Sequence, residues 1–252
     1  MNAMPNLSNR LDEALRAYQT AGHAQHPAHY SVHGETPWDV RVSANLSGGD
    51  RIAIRNVRSG DEALLRSFRD ELGPRSRELF CPYPWDDESR FREALAAAVQ
   101  SAESGIDASY LMLAADRPIG HFFLWKAGGN AHSRQHGVEV PELGVAVSDA
   151  YHGRGLGFLA VAILKAVAEH LESDAVELTT ALSNDAGWNT YRRAGFQFLG
   201  MIQNPLEVDV TAVTAGAAVA AKYREERQMV LIINAAKRVE VLQYLAAKRG
   251  AL

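Results

Sequence analysis

The chain predicts an α/β domain built on a mixed β-sheet, on three observations. From residue 51 onward, runs with the two-residue period of strands alternate with runs of helical period. Their order is strand, two helices, hairpin, strand, helix, strand, helix, then two more strands, which is neither a repeat nor a regular βαβ series. In residues 142–171 an apolar strand-like run passes through a short polar turn and three glycines straight into a long, almost wholly apolar helix-like segment. With 252 residues, 47% apolar and 22% charged, the chain is of ordinary globular composition and large enough for a sizeable core.

Residues 1–50 differ from the remainder of the chain, being rich in Pro, His, Gly, Ser and Asn after one short helical pattern. In that pattern Leu11, Ala14, Leu15 and Tyr18 share a face behind a Ser8 cap. The expectation is a partly ordered N-terminal extension. His23, His26, His29 and His33 cluster there, but no cysteine or nearby carboxylate completes a ligand set, so no metal is expected.

Residues 51–58 alternate through Ile52, Ile54 and Val57 and read as the first strand. Ser59-Gly60-Asp61 turns the chain into a helix carrying Leu64, Leu65, Phe68 and Leu72, stopped at Gly73-Pro74. Residues 78–88 mix aromatics and acids with two prolines and read as a shaped loop. A second helix over 90–101 and a hairpin, 110–115 with 118–126 about Asp116-Arg117, come next. A polar, glycine-rich loop over 127–137 precedes the strand 143–147 and its helix. Then come a strand over 175–180, a helix over 184–194 ended by Gly195, and a strand over 197–202. The alanine-rich stretch 205–222 leans helical, residues 227–234 form the last strand, and 235–249 a terminal helix with Val239, Leu242 and Leu245 on one side. The expected organisation is therefore 1–50 extension, 51–234 main α/β domain, and 235–252 C-terminal helix.

A net charge of -4 and a pI near 6.1 argue against non-specific nucleic-acid or anionic-membrane binding. The only cysteine, Cys81, cannot form an internal disulfide and reads as a small packed side chain. No apolar signal-like core occurs in residues 1–50, and no apolar run reaches membrane-spanning length. A soluble, cytoplasmic protein is expected. The alanine-rich stretch and the final helix could together build a homodimer interface.

Glycines succeeded at once by a helix suit an anion, since unpartnered N–H groups and the positive end of the helix dipole converge there. Gly153, Gly155 and Gly157 lack the spacing of a dinucleotide fingerprint, and no phosphate-loop motif with its lysine is present. The run 145–159 does resemble motif A of the GCN5-related N-acetyltransferases (GNAT), Q/R-x-x-G-x-G/A, with His152 at the Gln/Arg position and Arg154, Gly155 and Gly157 in the rest. Residues 184–196 resemble motif B, N-x-x-A-x-x-L-Y-x-K-x-G-F, with Gly187 and Thr190 replacing Ala and Leu and with Asn184, Tyr191, Gly195 and Phe196 in place.

The resemblance, which covers about residues 51–234, implies the GNAT acyl-CoA N-acyltransferase fold and acetyl transfer from acetyl-CoA to a primary amine by direct attack. It implies that the strands 143–147 and 175–180 splay, so that the backbone of Val145, Ala146 and Val147 meets the pantetheine arm and polarises the thioester. His152, Gly153, Arg154, Gly155, Leu156 and Gly157 would hold the pyrophosphate, and Tyr191 would protonate the departing thiolate or, alternatively, is a core residue whose hydroxyl caps a neighbour. Asn184 is expected to orient the pantetheine or a water, and equally to cap its helix. Glu142 is the candidate general base and equally reads as a solvated strand-end carboxylate. Asp149 reads as a turn residue, and His121 and His170 as packing and helix-end residues. Tyr83, Trp85 and Asp86 could receive a cationic amine or, alternatively, form an ordinary packed loop. Other readings are a non-catalytic acyl-CoA-binding module and transfer of a larger acyl group. The acceptor, a small-molecule amine or a peptide amine, is not specified by these motifs.

Overall fold

The computed structural model describes residues 6–22, 27–80, 82–85, 87–205 and 223–250. Among these residues nine strands form one sheet, β1 (Pro27–His33), β2 (Arg41–Leu46), β3 (Arg51–Asn56), β4 (Ala108–Ala114), β5 (Arg117–Trp125), β6 (Glu142–Val147), β7 (Ala175–Ala181), β8 (Gln197–Pro205) and β9 (Tyr223–Ile232). Their order is β1-β2-β3-β4-β5-β6-β7-β9-β8. Every neighbouring pair is antiparallel except β6 and β7, which run parallel and share a single registered pair, Glu142 with Glu177. Beyond that pair the two central strands part.

Among the described residues eight α-helices cover the sheet: α1 (Leu7–Thr20), α2 (Glu62–Glu71), α3 (Pro74–Leu79), α4 (Glu88–Glu103), α5 (Ala131–Arg134), α6 (Leu156–His170), α7 (Asp185–Arg193) and α8 (Arg238–Gly250). Leu156, Leu159, Ala160, Val161, Ile163, Leu164 and Val167 of α6 are all buried, as its almost uninterrupted apolar sequence requires. One side of α6 meets the sheet and α1 covers another. On the opposite face, Leu65 of α2 and Phe91, Leu95 and Val99 of α4 pack over Leu111 and Leu113 of β4.

Residues 6–22 and 27–50 pack into the body of the domain. Leu7, Leu11, Leu15 and Tyr18 are fully buried in the main core, and β1 and β2 extend the sheet beyond β3. Burying four such side chains contributes on the order of 6–12 kcal/mol before chain entropy is subtracted. The cap of α1 is Asn6, whose side chain accepts from the Asn9 N–H at 2.9 Å, whereas the Ser8 hydroxyl donates to the Gly34 carbonyl. His29 and His33 lie on β1, while His23 and His26 fall outside the described residues.

Other boundaries differ as well. Pro74 does not merely stop a helix but opens α3 at its first position, where its missing N–H costs nothing, so helix reaches Leu79 inside the expected loop. The β4–β5 turn places Ala115 and Asp116 at φ +46° and +66°. Two successive positive φ values match the right-handed twist of the strands they join. In α8 the buried stripe is Val241, Tyr244 and Leu245 rather than one including Val239, which is 63% exposed. Those three side chains pack against Val138, Val140 and Val230, and that contact sets the helix rotation. Residues 206–222, expected to be helical, lie outside the described residues.

Candidate active site

The parting of β6 and β7 opens a cleft of about 350 Å³. Its walls bring together the two motif regions: Val145, Ala146 and Val147 of β6, Tyr151 to Gly153 and Gly155 to Phe158 of the glycine segment, and Asn184, Gly187, Thr190, Tyr191 and Arg193 at α7. Strand parity decides which backbone groups face it. The Ser148 N–H donates to the Ile119 carbonyl of the β5 side at 2.8 Å, so Ala146, two residues back, also directs its amide toward β5. Val145 and Val147 therefore turn their N–H and C=O groups toward the gap, where β7 is too far away to pair with them. Ala146 also lines the cleft but offers no free amide, and its side chain packs with Phe68 and Leu72.

The glycine segment begins after a single 3-10 turn at Asp149–Tyr151. Gly153 and Gly155 have φ of +74° and +84°, with Gly155 capping α6. A side chain at either would be strained, so the tight reversal into the helix depends on glycine. Gly157 has ordinary helical geometry, and a methyl group there would meet no atom within 4 Å. Its missing side chain leaves room in the cleft at the start of the helix. Among the described residues the amides of Gly153, Arg154, Gly155 and Gly157 have no hydrogen-bond acceptor. This is a cluster of N–H donors at the positive end of a 15-residue helix, suited to a phosphate or pyrophosphate.

His152 lines the cleft, and its Nε2 lies 2.8 Å from the Val147 carbonyl. The Arg154 side chain is turned elsewhere, to Asp50 at 2.6 Å and over the Tyr151 ring at 4.5 Å. Its contribution to the cleft is through the backbone of the segment. Asn184 caps α7 by accepting from the Gly187 N–H at 3.0 Å, and its Nδ2 donates to the Thr180 hydroxyl at 3.0 Å. Both ends of that amide are engaged within the protein.

Tyr191 is buried against Phe196 at a ring separation of 5.9 Å and forms part of the cleft wall. Burial disfavours its phenolate and pushes its pKa up to about 12, so the phenol keeps its proton at neutral pH. Glu142 stands at the closed end of the splay and is not among the residues lining the cleft. Lys248 of α8 lies 3.5 Å from Glu142 and 2.9 Å from the buried Glu177. Burial raises the Glu142 pKa above the usual carboxylate value; Glu177 adds to the rise and Lys248 opposes it.

The aromatic residues assigned to an acceptor wall take different places. Tyr83 is 7% exposed and stacks flat on His121 at 5.9 Å, within the packing around α4. Trp85 donates from its indole to the Phe80 carbonyl at 2.7 Å. Asp86 lies outside the described residues. The wall on that side is instead made by Ser76, Leu79 and Phe80 of α3 and its end. No sequence expectation placed a helix there, yet α3 bridges the splay. The Ser76 hydroxyl donates to Asp149 beside β6 at 2.5 Å, Arg75 reaches the Ser183 carbonyl beyond β7 at 3.3 Å, and Arg224 of β9 holds the Glu78 carbonyl at 2.5 Å. Pro74, a helix opener just after a glycine, was the available signal.

No helix among the described residues is long and apolar enough to cross a membrane. No curated protein matches the chain in sequence. Solved structures share its fold. A ribosomal L7/L12 α-N-protein acetyltransferase, RimL, solved with coenzyme A, superposes with a TM-score of 0.54 at 12% identity, over 73% of this chain and 95% of that one. The GNAT domain of S. lividans PAT gives 0.54 at 15% identity, over 80% and 100%. The ribosomal-protein-S5-alanine acetyltransferase of Vibrio fischeri gives 0.53 at 11% identity, over 73% and 94%. A family model described as an acetyltransferase (GNAT) domain matches residues 51–197, more than half of the chain. With that match, and with a mixed sheet like those of solved GNAT enzymes, the chain belongs to the GNAT acetyltransferase family.

Proposed function

We propose that the protein transfers an acetyl group from acetyl-CoA directly to a primary amine within a ternary complex. The observation that carries this reading is the splay itself, in which the N–H and C=O of Val145 and the N–H of Val147 face a cleft that ends at the glycine-rich helix start, the Val147 carbonyl being taken by His152. The pyrophosphate of the donor binds the amides of residues 153–157. Its pantetheine arm lies along β6 as an added strand, and one of the exposed N–H groups polarises the thioester carbonyl.

In the reaction the amine nitrogen attacks the thioester carbon, the new C–N bond forms, and the C–S bond breaks. The amine's surplus proton leaves to Glu142, through water, since Glu142 lies three residues from Val145 and so about 10 Å along the strand. A carboxylate whose pKa is raised by burial is a better match to proton abstraction near neutral pH than an exposed one. Tyr191 protonates the departing sulfur. A thiol of ordinary pKa, roughly 8.5, is more acidic than this phenol, so the transfer is uphill by itself and is completed when the phenolate regains a proton from solvent. The acceptor is the primary amine of a small molecule or a peptide.

The test is release of free CoA thiol from acetyl-CoA against a panel of amines and peptides, with the acetylated product identified by mass. Acetyl-CoA binding without thiol release against any acceptor would overturn the transferase reading.

A further inference from the structure

Three contacts from the first fifty residues land on the two motif segments, although those residues precede the family match. Tyr18, fully buried in α1, donates its hydroxyl to the Arg154 carbonyl at 2.9 Å. Asp50, in the turn before β3, accepts from the Arg154 guanidinium at 2.6 Å. Just past α1, the Ala21 carbonyl accepts from Arg193, which lines the cleft, at 3.0 Å.

We infer that Tyr18 and Asp50 are positioning residues for the acyl-CoA loop, a role that rests on the reading of that loop as the pyrophosphate site. In a trans peptide the C=O and the next N–H point in opposite directions. Fixing the Arg154 carbonyl against α1 therefore turns the Gly155 N–H away from α1. Gly155 lines the cleft and Tyr18 does not, so that amide is held toward the anion. Two neighbouring glycines with positive φ would otherwise leave this peptide free to rotate. Asp50 holds the other end of Arg154, whose guanidinium also donates to the Ala150 carbonyl at 3.1 Å. The Asp50 pair is about one-third exposed, so Tyr18 is the stronger of the two constraints.

Tyr18→Phe keeps the ring that packs in the core and removes only the hydroxyl, and Asp50→Asn alters a turn residue outside it. Acetyl-CoA affinity is measured by calorimetry for the wild type, each variant and the double variant, beside a urea unfolding curve. Loss of one buried hydrogen bond predicts roughly threefold to tenfold weaker binding for Tyr18→Phe, with a smaller loss for Asp50→Asn. The KM for acetyl-CoA rises in step while kcat at saturation holds. Turnover of S-acetyl-N-acetylcysteamine, a thioester without the pyrophosphate, is unaffected. Unchanged acetyl-CoA affinity in both variants, or an equal loss with the truncated thioester, overturns the inference. A wild-type protein that binds no acetyl-CoA instead overturns the reading of the loop on which the inference rests.

Discussion

Glu142 and Glu177 face each other at the only registered pair between β6 and β7, and the ammonium of Lys248 lies within 3.5 Å of the first and 2.9 Å of the second. Two carboxylates on one bridge repel, and the lysine from α8 offsets that repulsion at the point where the sheet opens. Gln228 donates to Glu177 at 3.3 Å and accepts from Arg249 at 2.9 Å, extending the network under the end of the helix. The closed end of the splay is thus tied to the end of the described chain.

Replacing Lys248 by Met should destabilise the fold by about 2–4 kcal/mol, because it leaves the buried Glu177 carboxylate without its cation. Urea unfolding measures the loss, and adding Glu177→Gln should recover part of it. The same pair sets an alkaline pH dependence. Burial works against the Lys248 charge, but Glu177 and Glu142 outweigh it and hold the pKa above the ordinary lysine value of 10.5. The folded state then keeps a proton that the unfolded chain releases, so the stabilisation is complete below pH 10.5 and falls away as pH rises through the folded pKa. This alkaline loss should be smaller in Lys248→Met.

Tyr191→Phe should lower kcat about a hundredfold with little change in the KM for acetyl-CoA, as expected when a general acid is removed and packing kept. With the phenol pKa near 12, the wild-type rate should show no fall from its ionisation at pH 9. A tyrosine-dependent drop there would contradict the assigned role.

Gly157→Ala should separate binding from stability. The added methyl meets no protein atom within 4 Å, and replacing a helical glycine by alanine stabilises by roughly 0.5–1 kcal/mol. The methyl enters the room left at the helix start, so acetyl-CoA affinity should fall tenfold or more while the melting temperature holds or rises.

Leu11→Ala should cost about 2–5 kcal/mol, the usual range for a large buried side chain truncated in a packed core. A loose N-terminal arm would show no change in the denaturation midpoint.

Much of the domain is legible in the sequence. The alternation of Ile52 and Ile54, the apolar span of α6 and the Asp116 turn each write a local preference strongly enough to survive packing. The strand-to-helix glycines and residues 184–196 announced a shared site, and the cleft does bring them to one place. The N-terminal segment was less readable. Its polar composition hid β1 and β2, because an outer pair of strands is apolar on one face only and its two-residue period is easily lost among Pro, His and Ser. Tyr83 and Trp85 looked available for a cationic amine, since sequence cannot tell an aromatic that stacks on a buried His121 from one that lines a pocket.

By itself the sequence determined the fold class, the family and the two segments that meet at the cleft. These rest on local periodicity and on glycines whose backbone geometry no other residue adopts cheaply. Tertiary structure decided which amides of β6 are free, because that depends on strand parity relative to β5 and on the distance to β7. It decided that α3 forms a wall, that Lys248 sits between Glu142 and Glu177, and that Tyr18 holds the Arg154 carbonyl from 136 residues away in the chain. No local pattern records such contacts, which arise only when segments remote in sequence are packed against a common sheet.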